Sequence, residues 1–272
     1  MKKIIIYTLS FVLCFSSLSC SSEMQNQVSN DTSKDEVGLS KLKEQIVDIN
    51  NSYSRKSTRM PHWLRWLIFG SADVAGFVLG DIAGATGAST LAWNTTKQEK
   101  DLTGTGLAPI KTNSDNIVDS ATVGYLHNKY AKALFDNYGD ALDTMSVSSL
   151  TNAVCKVISE DKSYGKVVDK NELKNVLSGI NANFNPNASI SENINKFKTL
   201  TVDNQQKLTL DLCSSVLDGL QYVDDSDTTY IAKVNKVIEQ SQVKPSLKKE
   251  ISESVSVANA SALLWNGDAL KK

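Results

Sequence analysis

Cys20 is the residue whose position points most directly to chemistry. It follows a basic start at Lys2 and Lys3, a mostly apolar stretch over residues 4–18, and a small residue, Ser19. This order is that of a secretory signal peptide, and the apolar stretch is shorter than the ~20 residues that span a bilayer. A cysteine thiol at the cleavage site is a nucleophile that can accept a diacylglycerol. We therefore predict a signal peptide over residues 1–19 and lipid attachment at Cys20.

His127 is a second residue that could do chemistry, as a general base. It shares a predicted helix face with Ala131 and Leu134. A general base needs a partner that orients its ring. Of the neighbours that could do so, Asn128 is expected to face elsewhere and Asp119 precedes the helix. The pattern favours a histidine that packs or caps near a helix start, and an enzyme built on His127 ranks third among the functional hypotheses.

Cys155 and Cys213 are the cysteines that the mature chain keeps besides Cys20. In an exported protein they could form a disulfide. Both also lie in helical patterns near apolar faces, where a free buried cysteine is an ordinary core residue, so the sequence leaves the pairing open. Two histidines and two cysteines without paired spacing do not make a metal site, and we predict neither a metal nor another cofactor.

Four glycines, Gly76, Gly80, Gly84 and Gly87, recur at steps of four, four and three within residues 63–93. On one continuous helix they would line a single face. A glycine inside a helix costs up to ~1 kcal/mol relative to alanine, so a run of four indicates that another backbone approaches closely. This segment is either a close-packed central helix of a soluble bundle or a transmembrane or pore-forming hairpin of the glycine-zipper kind.

Two aspartates in this segment, Asp73 and Asp81, weigh against a membrane span. Each would cost ~2.5–3.5 kcal/mol at the centre of a membrane helix, and Arg65 adds to that cost near one end. Inside a soluble bundle the aspartates can reach solvent, backbone amides or basic partners. The soluble helix is therefore the first interpretation, and a membrane-active or antagonistic protein using residues 63–93 is the alternative.

The segment after the signal peptide is polar over residues 20–35 and cannot bury enough apolar surface to fold alone. We expect a lipidated N-terminus and a flexible tether there. The full chain has 29 basic and 30 acidic residues, and loss of Lys2 and Lys3 leaves 27 against 30, a net charge of about −3. This balance argues against a nucleic-acid partner, which needs a clustered basic excess.

The remaining sequence reads as consecutive helices, and no run alternates with the period of a strand. Leu39, Leu42, Ile46 and Ile49 predict an amphipathic helix over residues 36–56, and residues 57–272 are expected to form an all-α domain. We predict an irregular multi-helix bundle containing the glycine-rich close-packed helix. The further helices are expected near 120–138, 150–157, 173–180 with Asp169 as N-cap, 190–197, 208–220, 231–238 with a cap at 225–226, and 247–265 after Pro245.

A short internal similarity links two of these helices. Residues 88–94 match residues 260–266 at an alanine, a serine, a leucine, a tryptophan and an asparagine. The matched tryptophans are Trp93 and Trp265. We expect the two helix ends to pack side by side, with each tryptophan covering the other helix.

Two patterns resemble proteins of one bacterial group. Ser17-Leu18-Ser19-Cys20 resembles the loose lipoboxes of Bacteroidota, with serine where leucine is usual. The segment from Ser71 to Ser89, followed by Asp119 and by Gly124-x-x-His127-Asn128, resembles uncharacterised lipoproteins and secreted proteins of the same group. The resemblance implies an envelope location and assigns no catalytic residue.

These observations favour a non-enzymatic lipoprotein of the cell envelope. We expect it to be held in the outer membrane through its N-terminal lipid, and to bind or scaffold a protein or glycan. The partner, the membrane face and the oligomeric state are left open by the sequence.

Overall fold

The computed structural model describes residues 21–55, 64–98, 122–162, 164–223 and 228–266, which contain helices and no strand. The prediction of an all-α multi-helix bundle is confirmed. We number the α-helices of the described residues α1 Ser21–Ser54, α2 Leu64–Gln98, α3 Val123–Tyr138, α4 Val147–Glu160, α5 Lys170–Asn183, α6 Ile190–Phe197, α7 Asn204–Leu220, α8 Thr229–Gln240 and α9 Pro245–Asn266. Short 3-10 helices cover Gly139–Thr144 and Lys198–Leu200.

Side-chain caps explain where several helices begin. Asp169 accepts two backbone N–H hydrogen bonds at the start of α5, as predicted. Ser189 and Glu192 form a reciprocal capping box at the start of α6. The expected cap at residues 225–226 lies outside the described residues, and α8 instead begins after Thr228 without a side-chain cap.

The first helix is longer than the sequence pattern predicted. A flexible tether was expected over residues 20–35, whereas α1 begins at Ser21 and continues to Ser54. Residues 21–37 contain no glycine or proline, and each residue added to an existing helix gains a hydrogen bond without a new nucleation step. The tether prediction is therefore corrected for residues 21–35.

The second half of α1 belongs to the same core as the rest of the domain. Leu39, Leu42 and Ile46 of the predicted stripe are at most 2% exposed. They pack against α7 and α8. The amphipathic helix predicted over residues 36–56 is thus part of the bundle that residues 57–272 were expected to form alone.

The glycine-rich helix α2 is a hairpin rather than one straight helix. It breaks at Gly80 (φ −151°, ψ 25°) and Asp81 (φ 56°, ψ −160°). The two arms, residues 64–79 and 82–98, fold back on each other, so that Gly76 and Gly84 lie face to face. A Cβ atom on either residue would collide with the carbonyl oxygen of the other, and only glycine allows two backbones to approach this closely.

The other two glycines of the repeat contact a different helix. A Cβ atom on Gly80 would lie 3.3 Å from Val176, and one on Gly87 would lie 2.6 Å from Leu177, both on α5. The expected single glycine face is therefore wrong. The chain reversal places one pair inside the hairpin and turns the other pair towards α5.

Two helices, α9 and α5, make the main contacts with the hairpin at the centre of the bundle. Trp93 and Trp265 stack with ring centroids 5.6 Å apart and an interplanar angle of 20°. Phe69 packs edge-on against Trp265 at 4.6 Å. The expectation that the two similar helix ends pack side by side is confirmed, and the tryptophans stack directly.

Candidate functional site

Polar side chains from three helices meet inside the bundle, and we call this group the buried cluster. It joins both arms of the hairpin to α3 and α9. Its members are at most 4% exposed. They are Asp73, Ser89, His127, Asn128, Ser261 and Trp265.

His127 is the centre of the buried cluster. Its Nε2 lies 2.9 Å from Ser89 Oγ and 3.4 Å from Asp73 Oδ2. Its Nδ1 lies 2.8 Å from Asn128 Oδ1. Because Asn128 Nδ2 donates to the Ala260 carbonyl oxygen at 3.0 Å, the amide oxygen faces the ring, and Nδ1 carries a proton.

Asp73 shares this cluster as a carboxylate away from water. Its Oδ2 accepts hydrogen bonds from Ser261 Oγ at 2.6 Å and from Trp265 Nε1 at 3.4 Å. Its Oδ1 has no hydrogen-bond partner among the described residues. A buried carboxylate needs a charge partner. The nearest group that could serve as this partner is the His127 ring, whose Nε2 lies 3.4 Å from Asp73 Oδ2.

The order Ser89, His127, Asn128 is that of a nucleophile, a base and an orienting group. A reacting carbonyl would need to reach Ser89 Oγ and a nearby oxyanion donor. Ser89 and His127 are 0% exposed and Asn128 is 4% exposed. Their hydrogen bonds are already used to join helices, so the arrangement as folded ties the core together and gives a substrate no path to Ser89.

The Gly124-x-x-His127-Asn128 pattern has a structural explanation in this cluster. The three residues lie at spacings of three and one on α3, facing the hairpin and α9. A Cβ atom on Gly124 would collide with the Ser256 carbonyl oxygen of α9. Gly124 N also donates to Ser256 Oγ at 3.1 Å. Glycine therefore lets α9 approach, His127 binds the hairpin, and Asn128 binds the α9 backbone.

Part of this cluster was not predicted from the sequence. Asn128 was expected to face elsewhere, which is wrong, because its side chain bends back to the preceding His127 ring. Asp73 and Ser89 were not connected to His127. The one signal that could have done so is the similarity between residues 88–94 and 260–266, whose matched serines, Ser89 and Ser261, both join the cluster.

The hairpin turn carries a second group of charged side chains, in a more open setting. Asp81 Oδ1 accepts from the Ile82 backbone N–H at 2.8 Å. Asp81 Oδ2 accepts from Lys166 Nζ at 2.7 Å and from Tyr164 Oη at 3.3 Å. The bond to Asp81 raises the pKa of the Lys166 ammonium. Burial and the neighbouring Asp81 charge raise the pKa of the Tyr164 hydroxyl.

A cavity of about 410 Å³ opens around this turn, and we call it the turn pocket. Its lining includes the apolar side chains of Phe77 and Leu173. Among the described residues that line it, Lys166 is the only basic one. Its walls carry five carboxylates, from Asp81, Asp169, Glu172, Glu250 and Glu253.

Glu250 is a pocket carboxylate in unfavourable surroundings. Burial raises its pKa, and the like charges of Asp203 and Glu253 raise it further. Among the described residues, no group of three histidine, cysteine or acidic side chains is placed to hold a metal ion. The pocket's charge therefore favours neutral or cationic ligands over anions.

The two cysteines that could have paired are both free thiols. Cys213 on α7 is fully buried, and burial raises its pKa to about 12. Cys155 on α4 is partly buried, and burial raises its pKa as well. The disulfide interpretation is corrected to two separate core thiols. Cys20 and Asp119 lie outside the described residues.

Comparisons of this chain with protein-family models, with curated proteins and with solved structures found no match.

Proposed function

We propose that this chain is a lipid-anchored protein of the bacterial envelope that acts by binding, with the turn pocket as its binding site. The observation that carries the proposal is the contrast between the two polar groups. The residues with catalytic chemistry are buried and hold helices together. The charged residues around Asp81 line an open cavity instead.

The lipid anchor is supported by the sequence around Cys20. Metabolic labelling with a palmitate analogue should label the wild-type chain in the membrane fraction and should fail for Cys20→Ala. Cys14→Ala is the matched control, because Cys14 lies within the predicted signal peptide, and that variant should keep the label. Equal labelling of the Cys20→Ala variant and the wild type would contradict the anchor.

Binding at the turn pocket is supported by Glu250. A partly buried carboxylate beside like charges costs stability, and such arrangements are typical of functional sites. Small ammonium compounds (choline, spermidine) should shift the backbone NMR signals of residues 80–83 and 164–169 more than acetate or succinate does. Shifts that avoid these residues, or that favour the anions, would contradict the proposal.

Catalysis at Ser89 can be tested separately. A fluorophosphonate probe reacts with an accessible, activated serine. We expect no labelling of the folded wild-type chain beyond that of the Ser89→Ala variant. Labelling that Ser89→Ala abolishes would show that the cluster opens and acts as a hydrolase.

The alternative of a membrane-active hairpin has one observation in its favour. Leu67–Thr96 is long and apolar enough to cross a membrane, with a mean hydropathy of 1.5. This stretch is mostly buried in the core. The two arms of α2, residues 64–79 and 82–98, reach about 25 Å each, short of the ~30 Å hydrocarbon layer. Liposome dye leakage that Gly80→Leu abolishes would favour this alternative, and absence of leakage would count against it.

A further inference from the structure

One end of the bundle carries the hairpin turn at residues 80–81, and we call it the turn end. The start of α7 lies there, because Gln206 Nε2 donates to the Val78 carbonyl oxygen at 3.1 Å. The connection between α8 and α9 lies there too, because Lys244 Nζ donates to Gln205 Oε1 at 3.3 Å. The turn pocket opens at this end.

Helix α1 enters the bundle at the turn end. The Lys244 backbone N–H donates to Asp35 Oδ1 at 3.0 Å, so Asp35 lies level with this end. From there α1 runs along α7 away from the turn end. Asn50 Nδ2 donates to the Ser215 carbonyl oxygen at 2.7 Å, and Ser215 is far along α7 from Gln205.

The first part of α1 therefore extends beyond the turn end. Residues 21–34 continue the helix outward from Asp35 to Ser21. At 1.5 Å per residue this extension is about 21 Å long. Ser21 forms the outer end of this extension, and in the sequence it directly follows Cys20, the predicted lipid site.

The opposite end of the bundle holds the open ends of the hairpin arms. There Asn94 Nδ2 donates to the Leu142 carbonyl oxygen at 2.5 Å, within the 3-10 helix Gly139–Thr144. Asn94 lies roughly 20 Å from Asp81 along the second arm. Ala141, in the same 3-10 helix, is exposed at this far end.

We propose that residues 21–34 form a helical stalk that holds the turn end, and its pocket, facing the membrane that carries the lipid. This inference rests on the lipid anchor of the proposed function. The pocket then opens to the gap between the domain and the membrane. A flexible tether would let either end of the bundle face the membrane. A helix that is continuous with a packed core helix holds the turn end towards the membrane.

The orientation can be measured on the lipidated full chain bound to vesicles. A fluorophore is placed on Val167→Cys, which lines the pocket and is 99% exposed, or on Ala141→Cys at the far end. The background carries Cys155→Ala, because that thiol is partly exposed. With an acceptor dye on the lipid headgroups, we expect more efficient energy transfer from position 167. Equal or reversed efficiencies would overturn the inference.

The stalk itself is tested by its length. Deleting residues 22–28 removes two helical turns, keeps the helix phase, and should bring position 167 about 10 Å nearer the lipid surface. Replacing the same residues by seven glycines and serines should spread the distances instead. A deletion without a shift would show a tether and overturn the stalk. A purified chain without lipid would overturn the anchor, and with it the proposed function, whereas a lipidated chain with wrong distances overturns only this inference.

Discussion

Asp73 and Asp81 lie in the same hairpin, eight residues apart, and have opposite surroundings. Asp73 is 0% exposed and meets Ser261, Trp265 and the His127 ring. Asp81 has a side chain that is 43% exposed and pairs with Lys166 at the rim of a cavity. It also adopts a positive φ, which is strained for a residue with a Cβ atom. The Asp73 carboxylate joins helices inside the core, whereas the Asp81 carboxylate lies at a charged turn that is open to solvent.

The largest expected difference between the two regions is in stability. Asp73→Asn replaces a buried carboxylate oxygen with an amide nitrogen, which cannot accept the hydrogen bonds of this cluster, and should lower the free energy of unfolding by about 3 kcal/mol. Asp81→Asn removes a partly exposed pair and should cost less than about 1 kcal/mol. Urea unfolding of both variants measures the difference. Similar losses of unfolding free energy at the two positions would contradict the difference between the buried and the exposed aspartate.

Glycine-to-alanine substitutions in the hairpin should also differ in their effect on stability between the buried arms and the turn. Gly76→Ala forces the arms apart at the Gly84 carbonyl and should cost about 2–3 kcal/mol. Gly80→Ala meets the two Cγ atoms of Val176 at 3.3 Å, which are side-chain rather than backbone atoms, and should change stability by about 1 kcal/mol. Thermal unfolding followed by circular dichroism compares them. A Gly76→Ala variant as stable as Gly80→Ala would show that the arms separate easily.

Removing one hydrogen-bonding side chain from the buried cluster and one from the turn pocket should give a smaller difference in stability of the same sign. Asn128→Ala leaves the His127 ring and the Ala260 carbonyl without their partner and should cost about 1–3 kcal/mol. Lys166→Ala removes a side chain that is 66% exposed, and should cost less than about 0.5 kcal/mol. Denaturant midpoints would show the contrast, and a larger effect at Lys166 would contradict it.

The smallest expected effect is a pH dependence at the turn pocket. The folded chain raises the pKa of Glu250, so the folded state binds this proton more tightly than the unfolded state. Its contribution to stability is present below the ordinary range of a glutamate and is lost as pH rises through the raised pKa. Glu250→Gln should therefore stabilise the chain near pH 7 by up to about 0.5 kcal/mol. The advantage should vanish near pH 4, and an advantage that grows on acidification would contradict this sign.

The sequence predicted the helices well because each shows a regular apolar stripe, as in Leu247, Ile251 and Val255 of α9. It did not predict the chain reversal at Gly80 and Asp81. Glycine spacing is the same on a straight helix and on a hairpin, and only the packing of the arms distinguishes them. The cluster around His127 was missed for the same reason, since its partners lie far away in the chain.

Helix α1 shows the opposite limitation. Composition alone predicted a tether over residues 20–35, because polar residues cannot form a core of their own. The structure extends a helix that is already packed from Leu39 onward. The composition of residues 20–35 alone does not show that a neighbouring packed helix can be extended through them.

A double-mutant cycle between Asp73 and His127, measured by urea unfolding of Asp73→Asn, His127→Ala and the double variant, tests the central claim most directly. If the cluster is a structural tie, the coupling energy should be about 1–3 kcal/mol, against less than about 0.5 kcal/mol for the cycle between Asp81 and Lys166. Additive losses at Asp73 and His127 would contradict the account, because they would mean that the buried pair does not hold the hairpin to α3.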